Sequence, residues 1–423
     1  MMRLTRRTLL GSAAALGAGL AMPNLARAQD DDSLWDQFGK DRMIRGADTD
    51  GNTASAKSLV DTIEPILSFD TAYNLQLAIQ NYQAFVDAHG SWELPSRDTF
   101  ALELGKSRRA VASLKRRLMI NGDMTYEKRV NDDFDDKLDA AVRLFQARHG
   151  LIINGKIDEP TFYALSVPTD YRLNQLRLNL ARIEQWATAL SERYVVVNIP
   201  AASIEAIEAS QVVQRHTAVV GKVDRATPIL NSKVHQVKFN PYWTVPKSII
   251  EKDLVRYMNE DPEYLTKFRI RIFDGQGTEV PATSIDWSSP TDAVRYTFRQ
   301  DPGGENSMGH CKIDFYNPYD VYMHDTPQKA LFGENARFHS SGCVRCEGID
   351  SLAAWLLRDN GGWDVPSVQA AFTGGLREDI PLKVQVPIHT TYITAWANRQ
   401  GTVSFRDDVY NFDAQGVVSF AQG

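Results

Sequence analysis

Cysteine is scarce in this sequence: Cys311, Cys343 and Cys346 are the three it has in 423 residues. A disulfide scaffold wants a larger and even number, so the fold has to rest on apolar cores, and at least one thiol stays unpaired. Excess positive charge is also missing. The 47 Lys and Arg fall short of the 53 Asp and Glu, giving a formal charge of −6, which argues against a nucleic-acid or anionic-membrane partner. Basic clusters such as Lys115-Arg116-Arg117 are too short to reverse that. No apolar run beyond the N-terminus nears the length of a transmembrane helix. What is present is ordinary globular material, 43% hydrophobic and 24% charged, in a chain long enough for two or three cores.

The N-terminus reads Thr5-Arg6-Arg7-Thr8-Leu9-Leu10, a small-apolar run from Gly11 to Met22, then Ala26-Arg27-Ala28. A charged start, a short apolar core and an A-x-A site predict a cleaved export signal over 1–28, and the paired arginines resemble a twin-arginine signal. Losing its four arginines takes the charge from −6 to about −10. Residues 29–55 are polar and Asp-rich and read as a tail.

Helical periodicity then dominates to residue 192. The apolar positions between Ala56 and Val86 suit two helices, followed by a turn at Gly90-Ser91-Trp92. Between Ser107 and Ser166, Val111, Leu114 and Leu118 mark one stripe, and Leu138, Ala141, Val142 and Phe145 mark a second, which Gly150 closes. Asp158 caps a third, short helix with Pro160 in its first turn. Leu173, Leu176, Leu180, Ile183, Ala187 and Leu190 give a connecting helix over about 172–192 with a continuous apolar seam. From Tyr194-Val195-Val196-Val197 onward the texture changes to strands: 203–209, 211–213 and 217–221 as short pieces, then 319–323, 382–386 and 392–396. The fold class is α+β, with a helical scaffold over 56–192 and a β-rich domain over 193–423.

Chemistry concentrates between Tyr322 and Glu347. Cys343 follows Gly342, whose missing side chain permits close backbone approach, and the Gly342 and Cys343 amides are candidates for an oxyanion hole. His324 is the candidate base, because an imidazole that takes the thiol proton makes cysteine a nucleophile. A buried structural thiol and a hydrogen-bonded core histidine are the plain alternatives. His339, four residues before Cys343, is a rival base.

Two stretches carry resemblances. Ala141-Val142-Arg143-Leu144-Phe145-Gln146-Ala147-Arg148-His149-Gly150-Leu151, with Asn154-Gly155-Lys156-Ile157-Asp158, resembles the peptidoglycan-binding type 1 module over 107–166. Tyr322-x-His324-Asp325-Thr326-Pro327 and Ser340-Ser341-Gly342-Cys343-Val344-Arg345 resemble the two halves of the signature of YkuD-type L,D-transpeptidases, in the large subgroup that carries such a module. Asn240-Pro241-Tyr242-Trp243-Thr244-Val245-Pro246 and the ending around Tyr392-Ile393-Thr394-Ala395-Trp396 support it.

The resemblance implies that Cys343 attacks the diaminopimelate carbonyl of a tetrapeptide stem, releases D-alanine and passes the acyl group to a second stem as a 3→3 cross-link. It implies His324 as acid and base, a carboxylate on Arg345, and Tyr322, Trp243, Tyr242 and Ser341 along the substrate groove. It also implies a capping insertion at about 247–296, action in the periplasm, and neither cofactor nor metal. A hydrolase using the same acyl-enzyme and a non-catalytic wall-binding protein are the alternatives. The sequence does not fix the oligomeric state.

Cys346 departs from the family pattern and creates Cys343-x-x-Cys346. A redox site lacks its βαβ context. Zinc held by the three cysteines and a histidine has the ligand types but no second C-x-x-C, and it would lock the nucleophile. Cys311–Cys346 and Cys343–Cys346 disulfides both remain open at the level of sequence.

Overall fold

The computed structural model describes residues 53–416, together with the backbone of 421–422. The expected export signal and most of the 29–55 tail lie outside the described residues.

Helix Phe69–His89 begins where Ser68 accepts the Thr71 N–H at 3.1 Å and ends where the Gly90 amide returns to Val86 O at 2.7 Å. Its buried positions, Ala72, Leu75, Ala78, Tyr82 and Phe85, step by three and four and meet Leu173, Leu176, Ile183 and Trp186 of helix Thr169–Trp186. Both helices share one buried core with the sheet that follows, so a boundary near residue 192 does not separate the apolar cores.

The 107–166 region has its own core. Helices Ala110–Ile120, Asp136–His149 and Glu159–Leu165 enclose Val111, Leu114, Phe134, Leu138, Phe145 and Leu165. Asp135 and Asp158 cap the second and third helices, and Gly150 ends the second in the left-handed conformation. Gln146 is fully buried and ties down the next loop. Its Nε2 donates to Asn154 Oδ1 (2.8 Å) and Lys156 O (2.9 Å), and its Oε1 accepts the Asn154 and Gly155 amides. The apparent binding motif therefore has a structural part.

The main sheet has ten strands: β1 (Arg193–Asn198), β2 (Ser203–Glu208), β3 (Gln211–Gly221), β4 (Leu230–Phe239), β9 (Cys311–Phe315), β10 (Met323–His324), β11 (Phe338–Ser340), β12 (Val344–Cys346), β13 (Glu378–Thr391) and β16 (Ala421–Gln422). Their order is β11-β3-β12-β10-β9-β4-β13-β1-β2, with β16 on β4 and β2 pairing back onto β3, which closes the circuit. The 211–221 segment is one strand rather than the expected pieces, because its first half pairs with β2 and its second half with β12 and β11. The 319–323 strand shortens to Met323–His324. Asn317 instead gathers the Tyr319 and Val321 amides at 3.0 Å into a turn, with Asp320 at φ +54°. The 382–386 strand belongs to the longer β13, which is irregular between Pro381 and Val386. Residues 395–405 form a separate hairpin of β14 (Ala395–Ala397) and β15 (Val403–Phe405).

The insertion is a small folded unit. Strands β5 (Trp243–Thr244), β6 (Ile270–Phe273), β7 (Glu279–Val280) and β8 (Thr297–Gln300) make their own sheet, and a helix over 247–260 has a π-helical turn at Ile250–Leu254. Val245, Ile250, Leu254, Met258, Ile272 and Phe298 form a core distinct from that of the main sheet. No helix of the described residues is long and apolar enough to cross a membrane.

Candidate active site

Two parallel strands bring the signature halves together. β10 pairs with β12 in the register Met323↔Val344 and His324↔Arg345, so Cys343 emerges just before β12, alongside Tyr322. Gly342 takes φ +109°, which L side chains rarely adopt, whereas an added Cβ would meet nothing nearer than 3.6 Å. Glycine is needed here for backbone conformation, not for space.

A cleft of about 1040 Å³ lies under the insertion, hereafter the lid. Cys343, His324, Tyr322, Arg345, Ser341 and Trp243 all line it. Tyr242 does not. It stands outside, half-exposed, between the guanidiniums of Arg299 and Arg377, which corrects its expected place in the groove.

His324 is buried, and its Nδ1–H donates to Asp325 O at 2.5 Å, which leaves Nε2 as the basic nitrogen. Burial first, then the nearby Arg345 cation, pushes its pKa down to about 3, so the ring is neutral at physiological pH. Burial pushes the Cys343 thiol up, against the Tyr322 N–H, the Tyr322 hydroxyl and the cations of Lys312 and Arg345, all of which favour the thiolate. The resting pair is thus a thiol and a neutral imidazole. A nucleophilic role for this thiol would require it to lose its proton as the new bond forms. Lys312 lies 4.1 Å from the centre of the Tyr322 ring and pairs with Asp314 at 2.8 Å.

The catalytic loop is held from beneath. Ser340 Oγ donates to Cys343 O at 2.5 Å and accepts the Gly342 N–H at 3.2 Å. The Gly342 amide is therefore occupied, and the Cys343 N–H is the amide of the two with no acceptor among the described residues. Thr227 Oγ1 donates to Gly342 O at 2.9 Å and accepts the Gly221 N–H at 2.9 Å, and the Tyr410 hydroxyl donates to Gly221 O at 2.5 Å. Thr227, Lys312 and Arg225 escaped the sequence reading, and Ser340 entered it only as part of the signature, because nothing marks a loop support as such.

Arg345 reaches Gln328 Oε1 at 2.6 Å and has no acidic partner among the described residues; its buried Nε has no partner there either. A half-buried guanidinium without a counter-ion at a cleft wall is suited to an incoming carboxylate. His339 lines the rim, but its Nε2 faces Glu334 Oε2 at 2.8 Å and Ala336 O at 2.9 Å.

Sheet register closes the disulfide alternatives. Asp325, the residue after β10, lies level with Cys311 on β9 and Cys346 on β12, so these cysteines are two strand spacings apart, roughly 10 Å against the ~7 Å limit for a bridge. Cys343 and Cys346 are separated by extended strand, again on the order of 10 Å. Cys311 and Cys346 are fully buried, with thiols pushed up by burial. No group of three or more His, Cys, Asp or Glu among the described residues is arranged to hold a metal ion.

Residues 192–380 match the family model described as the YkuD "L,D-transpeptidase catalytic domain", and residues 107–165 match the "Putative peptidoglycan binding domain". A protein of Haemophilus influenzae described as "Putative L,D-transpeptidase" is 33% identical over 221 residues, 52% of this chain and 45% of that one, so the chain spans less than half the relative's length. Among solved structures, an L,D-transpeptidase from Mycobacterium smegmatis is 14% identical with TM-score 0.23, covering 47% of this chain and 58% of that chain. One from Stackebrandtia nassauensis is 13% identical with TM-score 0.27, covering 69% and 96%. These overlaps are too slight to carry an argument.

Proposed function

We propose that this chain, which carries a YkuD-type L,D-transpeptidase catalytic domain and a peptidoglycan-binding module, forms 3→3 cross-links in peptidoglycan through a thioester on Cys343. The observation that carries the reading is the shared cleft. A thiol whose Sγ lies 3.9 Å from Asp320 O and a neutral imidazole whose Nδ1 is held by Asp325 O line it, beside a guanidinium with no acidic partner among the described residues.

In the first half-reaction the Cys343 proton passes to His324 Nε2 as sulfur bonds to the diaminopimelate carbonyl carbon of a tetrapeptide stem. The Cys343 N–H receives the developing oxyanion. The imidazolium returns its proton to the departing amine, D-alanine leaves and the thioester remains. In the second half, the side-chain amine of another stem attacks the thioester carbonyl, His324 takes the amine proton, and the thiolate leaves and is reprotonated. Arg345 holds a stem carboxylate, Tyr322 and Trp243 wall the donor peptide, and Ser341 borders it. The substrate lies outside the cytoplasm, so this reading requires export, as the 1–28 leader predicts.

Mass spectrometry of muropeptides after incubation with the purified chain tests this. The native protein is expected to yield 3→3 dimers and the Cys343→Ala variant none. Shortened stems without dimers would replace transfer by hydrolysis, and identical products from both proteins would remove Cys343 from the chemistry.

A further inference from the structure

The lid and the catalytic loop are joined by an arginine that belongs to neither. Arg225 sits on the 222–227 turn after β3, where its amide bonds Lys222 O at 2.9 Å. Two residues on, Thr227 grips Gly342 O from below. The Arg225 backbone is thereby fixed to the catalytic domain, and its side chain reaches the other way. Nη1 donates to Ser341 Oγ at 2.9 Å and to Asp253 Oδ2 at 2.5 Å, while Nη2 donates to Asp253 Oδ1 at 3.2 Å. Asp253 lies in the lid's π-helical turn, between Ile250 and Leu254, which are buried in the lid core.

We propose that Arg225 is a positioning residue that latches the lid over Cys343, with Asp253 as its lid partner and Ser341 as its loop partner. The inference rests on reading Cys343 as the reacting thiol. Three observations carry it. The lid's sheet and apolar core are separate from those of the main domain, so a rigid-body lid movement breaks little apolar packing and polar ties become a large share of what holds it closed. The pair is mostly dehydrated, with side chains 12% and 17% exposed, and is bidentate, so it exceeds an ordinary surface ion pair. The cleft is about 1040 Å³ with the latch formed, large enough for a peptide, so the latched state is the one that binds.

The test reads thiol access rather than cross-linking. The full chain is labelled with a polyethylene-glycol maleimide, too bulky for the latched cleft, and separately with iodoacetamide, which fits either state and corrects for altered thiol reactivity. Cys311 and Cys346 are fully buried, so Cys343 is the site read, by peptide mass spectrometry. The maleimide-to-iodoacetamide rate ratio is expected to rise about tenfold in Asp253→Asn, the factor that roughly 1.4 kcal/mol of lost closing free energy produces. Arg225→Lys keeps the charge but loses the fork, so its expected rise is about threefold. The reversed pair, Arg225→Asp with Asp253→Arg, should return the ratio to within about twofold of native.

A ratio in Asp253→Asn equal to native, or no rescue by the reversed pair, overturns the latch. Should Asp253→Asn not fold, the lysine variant and the reversed pair decide. A native chain that labels in this pattern yet makes no cross-links would sink the transpeptidase reading and leave the latch standing. One that cross-links while labelling ignores the latch residues would do the opposite.

Discussion

The module and the lid are two units with apolar cores of their own, the module docked on Trp92 and the β14–β15 hairpin and the lid tied to the Cys343 loop, and their seams are built from opposite materials. The module seam is a layer of dehydrated guanidiniums on aromatic faces. Arg117 lies 3.5 Å from the Trp92 ring centre, Arg172 lies 4.5 Å from that of Phe405, and Arg148 donates to Val403 O at 3.0 Å while Asp123 holds it bidentately at 2.5 and 2.6 Å. Arg406 returns a bond to Arg148 O at 2.8 Å. Burial pushes Arg117 down to about 9 and Arg172 to about 10, a sign of how little water reaches them. Where a carboxylate is present it outweighs burial on both sides: Asp123 holds Arg148 and Asp253 holds Arg225 above the ordinary value, so it is Arg117 and Arg172, with no ion-pair partner among the described residues, that set the module seam apart. A seam of buried charges has no inexpensive half-open state, since each partner removed strands the other. A seam held by one bidentate ion pair, with no shared apolar core, can open. The module is placed to be fixed and the lid to move.

The contrast breaks first at Asp123. Replacing it by Ala leaves Arg148 buried without its carboxylate, at an expected cost of about 3–5 kcal/mol in unfolding free energy. Chemical denaturation of the full chain measures it, and a loss below about 1 kcal/mol, as at a surface pair, would mean the seam is wetter than its geometry. The lid counterpart is Leu254→Ala, a truncation within the insertion's own core. It is expected to cost about 2–5 kcal/mol locally. Hydrogen exchange should quicken across 243–300 and stay native in β1, β4 and β13. Faster exchange in those strands would show that lid and sheet unfold as one unit.

The sequence marked the candidate site and left its supports hidden. Cys343, His324 and Arg345 sit in signature halves whose spacing survives folding because β10 and β12 pair in parallel with a fixed register. The module was readable because caps and stripes are local: Asp135, Gly150 and Asp158 do what their residue types favour. Tyr242 precedes β5 and stands half-exposed between Arg299 and Arg377, while Trp243, the first residue of the strand, lines the cleft; no sequence pattern separates these two adjacent aromatics. The single long β3 was hidden because its continuity comes from three different partners, and only the hairpin with β2 is local, while β11 and β12 lie more than a hundred residues on. Arg225 left no trace either: its partners Asp253 and Ser341 are 28 and 116 residues away.

Acid separates the two seams with the smallest effect of the three. His149 stacks on Phe145 at 3.9 Å and faces Phe405 at 5.7 Å, donates from Nδ1 to Phe145 O at 2.7 Å, and is surrounded by Arg148, Arg172 and Arg406. Burial, then those cations, holds its pKa well below the ordinary 6.5. A histidine depressed in the folded state contributes stability that is whole above about 6.5, and that is lost as pH falls below it, because the unfolded chain takes the proton first. Asp253, facing Arg225, Lys222 and Arg256, is held below 3.8 and stays charged throughout that fall. Between pH 6.5 and 4 the module seam should therefore weaken while the lid pair does not. Thermal melts across that range are expected to show a shallower decline in Tm for His149→Phe than for the native chain, and a native slope for Asp253→Asn. Other buried histidines, His324 and His389, titrate alike in all three proteins and cancel in the comparison. Parallel melting curves for the native chain and His149→Phe would mean that water already reaches the imidazole, and that the two seams differ less than their geometry says.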